Sequence, residues 1–149
     1  MKISYLLLYL ILVNVLSLSM NYFKLNHGSY PGFTYVYLNA SPDEVISHYN
    51  KHKLKGYLLD ENGQSYLKEK TFGGLTLSSD CISLIYIPKF KNTSYYYGIL
   101  NHELLHSVLD SMEAYGVRYE NSNNAEPLTY QLGYLTEQLF KELFKLNIK

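Results

Sequence analysis

Tryptophan is absent, cysteine occurs once, and charge is sparse and balanced. The single cysteine, Cys81, precludes a disulfide within the chain. Its place just before the run I-S-L-I-Y-I marks a buried, inert thiol rather than a metal ligand or redox switch. Lys plus Arg number 13 and Asp plus Glu number 13, so neither a basic footprint for nucleic acid nor an acidic disordered tail is present. Internal repeats, low-complexity tracts, a phosphate-binding loop and a nucleophile elbow are all missing. What the chain has in excess is tyrosine, with 17 Tyr against 6 Phe. Tyrosine supplies amphipathic contact area and hydroxyl donors, which suits a peptide-binding cleft, although biased codon usage produces the same excess. A length of 149 residues corresponds to about one domain with one proper core.

Residues 1–19 stand apart. One positive charge precedes an apolar run from Tyr5 to Leu16, followed by the small residues Ser17 and Ser19, which is the pattern of a short signal peptide. Asn14 and a strongly apolar run of only about twelve residues fall short of a comfortable membrane span. A secretory leader, an uncleaved anchor, a buried first element and a start wrongly placed ahead of Met20 are the alternatives. The first two imply secretion or membrane contact through residues 1–19 alone, and the last an intracellular protein. The functional domain is expected from Met20 to Lys149.

The centre of that domain is Tyr97 to Gly116, which carries His102, Glu103 and His106 as H-E-L-L-H. Thr93 or Ser94 can cap a helix there, Leu104, Leu105, Val108, Leu109 and Met112 recur at helical spacing, and Gly116 stands where a left-handed cap would end it. On a helix, residues four apart share a face, so His102 and His106 can direct their imidazoles at one divalent ion. Glu103 projects about 100° round from His102, within reach of a water held there. The apolar residues form one arc with the histidines at its edge, and Glu103, Ser107 and Asp110 fall on the more polar side. A catalytic zinc takes three protein ligands and a water, and Glu126, twenty positions beyond His106 in N-A-E-P-L-T-Y, is the candidate third. Asn123 or Asn124 as cap and Pro127 in the first turn place it at a helix start.

This pattern resembles the gluzincin branch of zinc metallopeptidases, with the ligand spacing of the thermolysin type. Residues 95 to 145 also look like small metallopeptidase-like proteins of phage genomes and single-domain minigluzincins. The resemblance implies Zn2+ held by His102, His106 and Glu126, with Glu103 as general base. It further implies an open edge strand that receives the substrate backbone, by position Phe72 to Leu77, where Phe72, Gly73, Gly74 and Leu75 would contact substrate. One departure is that the thermolysin-type aspartate four residues after the ligand glutamate is replaced here by Tyr130. Tyr130 or Tyr119 could donate to a developing oxyanion.

Elsewhere F-T-Y-V-Y-L at Phe33–Leu38 predicts a strand, and S-P-D-E predicts a capped helix from Pro42 to about His52, with His48 and His52 facing solvent. Asn62-Gly63 predicts a hairpin or loop-separated strand pair formed by Gly56–Leu59 and Ser65–Leu67. T-F-G-G-L-T-L and Ile82 to Ile87 predict further strands, and leucines from Leu128 to Leu143 a long amphipathic helix, in which Gly133 would permit close helix contact. The expected fold is therefore α+β and zincin-like, a small mixed or antiparallel sheet packed on the active-site helix and followed by a glutamate-bearing C-terminal helix. The expected function is zinc-dependent hydrolysis of a peptide or protein substrate by a monomer. A zinc-stapled structural or binding protein, or a regulatory protease acting on one partner, are the alternatives.

Overall fold

The computed structural model describes residues 20–69, 72–118 and 125–148, so the expectations for residues 1–19, Tyr119, Asn123 and Asn124 lie outside it. The protein is a mixed α+β structure with a four-stranded sheet and, among the described residues, four helices. In chain order these are β1 (Asn21–Asn26), β2 (Phe33–Leu38), α1 (Pro42–Lys51), α2 (Glu61–Lys68), β3 (Leu75–Ser79), β4 (Ile82–Ile87), α3 (Ser94–Ala114) and α4 (Ala125–Leu146). The strand order is β1-β2-β4-β3, with β2 and β4 parallel at the centre and antiparallel partners at both edges.

Helices cover both faces of the sheet, which is why the central strands carry nearly continuous apolar runs. Val36, Leu38, Ile85 and Ile87 point to one side, where Leu100, Leu104, Val108 and Met112 of α3 and Leu135, Leu139 and Leu143 of α4 close over them. Tyr35, Tyr37, Leu84 and Tyr86 point to the other, against Val45 and Tyr49 of α1 and Leu58, Leu59 and Leu67 around α2. Each fully buried aliphatic side chain contributes about 1.5–3 kcal/mol, so α3 is anchored along its whole buried side.

Several elements follow their local chemistry. The Ser41–Glu44 capping box forms as expected, with Ser41 Oγ accepting from the Glu44 backbone N–H and the Glu44 carboxylate accepting from that of Ser41. The end of α3 is a two-bond C-terminal cap. Gly116, at φ +77, donates to the Glu113 carbonyl and Val117 donates to that of Met112.

Other expectations are corrected. Neither the hairpin nor the strand pair around Asp60–Gly63 forms, since Asp60 caps α2 and Ser65–Leu67 lie within it, with Asp60 Oδ1 accepting from the Gly63 N–H at 2.8 Å. Gly63 is required for closeness rather than for a turn, because a Cβ there would lie 2.0 Å from the Leu58 carbonyl oxygen. Strand β1, absent from the sequence-based expectation, alternates buried Phe23 and Leu25 with exposed Lys24 and pairs residue by residue with β2. The edge strand exists but runs Leu75–Ser79, leaving Phe72–Gly74 as its approach. Gly133 permits no helix contact, since open space surrounds its Cβ position. His48 is half-buried rather than solvent-facing, with its Nδ1 2.9 Å from the Tyr37 hydroxyl and its ring beside those of Tyr22 and His52.

Candidate functional site

Helix α3 is rolled away from the orientation that its leucines suggest. Glu103, Ser107 and Ser111 are buried with Leu104, Val108 and Met112, whereas Leu105 and Leu109 are 37% and 39% exposed. The physical reason is that the sheet and its loops offer polar partners under the helix. Ser107 Oγ lies 2.7 Å from Thr34 Oγ1, Thr34 lies 2.9 Å from His27 Nε2, and Ser111 Oγ donates to the Ser107 carbonyl. Burying these serines therefore costs little.

The roll leaves His102 and His106 exposed and side by side. Their Nε2 atoms are 3.0 Å apart and their ring planes nearly perpendicular. Two zinc–imidazole bonds of about 2.0–2.1 Å at a tetrahedral angle place the nitrogens about 3.3 Å apart, so the pair fits one such ion with a small opening. Beside it lies a shallow cleft of about 560 Å³ lined by Gly73, Gly74, Ser94, Tyr95, Gly98, Ile99, His102 and Glu103.

Glu103, only 7% exposed, forms part of the floor of that cleft. Thr76 Oγ1 lies 2.7 Å from its Oε2 and 3.0 Å from its backbone carbonyl oxygen. The shorter distance is that of a hydroxyl donating to a carboxylate. Gly74 makes room for the carboxylate stem, for a Cβ there would come within 2.8 Å of Glu103 Cγ and of Ile99 and 2.7 Å of Ile87. Thr76 escaped the sequence analysis. The alternation L-T-L was the available signal, since it turns Leu75 and Leu77 toward the α1 and α2 side and Thr76 toward α3.

The remaining expected site residues are dispersed. Gly73 and Gly74 line the histidine cleft, but Leu75 packs into the opposite core. Phe72, with Gly73, lines an adjoining cavity of about 460 Å³ whose walls include Tyr86, Tyr95, Tyr96 and Ile99. Glu126 is exposed in the first turn of α4 and lines a different depression of about 630 Å³, together with His27, Tyr30, Tyr130 and Tyr134. Tyr130 is 74% exposed there. Among the described residues, no three of the His, Cys, Asp and Glu side chains are gathered as a metal would require. The structure thus brings His102, His106, Glu103, Gly73 and Gly74 together and leaves Glu126 and Tyr130 elsewhere.

His27 was also missed, and nothing in N-H-G distinguishes it from a loop histidine. It is 1% exposed and bonded at both ring nitrogens, and burial lowers its pKa to about 4. Comparison of the chain with models of protein families, with curated proteins and with solved structures finds no match.

Proposed function

We propose that this chain is a small zinc-dependent peptidase of zincin-like design, with His102 and His106 as metal ligands and Glu103 as general base. The observation that carries it is the paired Nε2 atoms, 3.0 Å apart beside a cleft floored by the Glu103 carboxylate. When bound, zinc supplies Lewis-acid polarisation of a carbonyl and eases deprotonation of a water. Glu103 takes that proton and returns it to the leaving amine. The outer edge of β3 receives the substrate backbone as an added strand, with Gly73 and Gly74 lining the cleft at its approach. The cavity beyond Ile99 and Tyr95 offers room for a large apolar side chain. In this proposal Glu126 completes the ligand set and Tyr130 serves the oxyanion. Their support is sequence spacing and resemblance, since both side chains line the neighbouring depression.

That separation favours, as a second reading, a protein that uses the histidine face for binding without hydrolysis. Replacing Glu103 with Gln separates the two. A peptidase keeps its zinc and loses turnover of a mixed peptide pool, whereas a binding protein has no turnover to lose. Metal content is measured alongside in His106→Ala and Glu126→Gln. Equal zinc in the parent and His106→Ala would remove the metal site altogether, and equal zinc in Glu126→Gln would remove only the third ligand.

A further inference from the structure

Resting on the peptidase reading above, we infer that Thr76 is a positioning residue that holds the Glu103 carboxylate in working orientation and ties it to the strand on which substrate docks. Glu103 is a nearly buried carboxylate, and such a group requires a donor in a fixed place. Thr76 provides one from β3, with Oγ1 at 2.7 Å from Oε2 and 3.0 Å from the Glu103 carbonyl oxygen. The same hydroxyl thus faces both the head of the side chain and the helix backbone that carries it. Below the head, Gly74 lies against the stem with no room to spare, since an added Cβ at position 74 would come within 2.8 Å of Glu103 Cγ, Ile87 and Ile99.

A carboxylate gripped at stem and head has little freedom to rotate out of line. Oε2 is engaged by Thr76, and Oε1, which accepts no hydrogen bond from the described residues, is the oxygen that takes up a proton. The partner matters because of where it sits. Among the described residues, strand β3 is the last in the sheet and paired only on its β4 side, with Thr76 opposite Ile85. A substrate strand added to the outer edge would run directly alongside the residue that orients the base. Small displacements of that edge on docking would be transmitted to Glu103 through one hydrogen bond.

The test compares Thr76→Val, which keeps the branched shape and removes the hydroxyl, with Thr76→Ser, which keeps the hydroxyl. For a positioning role, kcat on peptide falls about 10- to 100-fold in Thr76→Val with KM and zinc content unchanged, the loss expected when a reacting group is misplaced by about an ångström. Thr76→Ser should recover most of it. Parental kcat in Thr76→Val would overturn the inference, as would an equal loss in both variants. If the parent shows no turnover dependent on Glu103, the peptidase reading fails by itself. Crystal structures of the parent and Thr76→Val then decide the geometry: a Glu103 carboxylate that leaves its place supports the tether, and an unmoved one refutes it.

Discussion

Of the groups through which acid should destabilise this protein, His27 is the one whose effect can be sized from the structure. Tyr115 gives its hydroxyl proton to the Pro31 carbonyl, so its oxygen accepts from His27 Nδ1–H at 2.8 Å. Nε2 then accepts from Thr34 Oγ1, which accepts in turn from the Ser107 hydroxyl. Every proton in the chain has a place only when the imidazole is neutral. Burial accordingly lowers the pKa from the ordinary 6.5 to about 4. Below about pH 6.5 the unfolded chain takes up a proton that the folded one refuses until about pH 4. Stability is therefore intact above that window and falls through it, by about 3 kcal/mol at a slope of about 1.4 kcal/mol per pH unit.

Urea unfolding followed by far-ultraviolet circular dichroism, at intervals from pH 7 to pH 4, measures this without tryptophan. His27→Gln is the control: it keeps a donor and an acceptor but cannot titrate. It should be less stable at pH 7, yet its stability should fall less steeply with acid by about one proton. Glu44, whose carboxyl the Ser41 bonds hold below its ordinary range, and His48, lowered by burial and by the neighbouring His52 and Lys51, weaken the fold with acid in both proteins and cancel in the difference. Parallel curves for the two proteins between pH 6.5 and 4 would refute the neutral-histidine account.

Two glycines should respond in opposite directions to the same change. Gly63→Ala forces a methyl group against the Leu58 carbonyl and should lower the unfolding free energy by about 2–3 kcal/mol, whereas Gly133→Ala enters open space on α4 and should raise it by about 1 kcal/mol. Urea midpoints read both, and a neutral Gly63→Ala would show that the first turn of α2 is not packed as described. If the chain is the peptidase proposed above, Gly74→Ala should push Glu103 from the cleft floor and cut turnover more than about 10-fold with zinc content unchanged. Parental activity in that variant would mean that the carboxylate works from another position.

Some of this was legible because its chemistry is local. Ser41, Pro42 and Glu44 specify a helix start among themselves, and Gly116 specifies a helix end, so both appear where expected. Elsewhere the local signal pointed the wrong way. Asn62-Gly63 has the composition of a hairpin turn, but Asp60 captures the Gly63 amide and the packing against Leu58 rewards a helix. Strand β1 has only two inward apolar residues and exists because β2 presents an unpaired edge. The leucines of α3 suggested one roll about its axis, and the hydroxyls of Thr34 and Thr76 select another.

The sequence by itself determined that His102 and His106 share a helical face with Glu103 beside them, because 3.6 residues per turn leaves no other outcome once the helix forms. Only the tertiary structure decided what surrounds that trio: Thr76 and Gly74 against the carboxylate, Leu105 and Leu109 left outside, and Glu126 beside the tyrosines of a neighbouring depression. The division has a physical cause. Spacing along one helix is set by backbone geometry, whereas the partners that residues meet across a sheet or on another helix depend on how those elements pack.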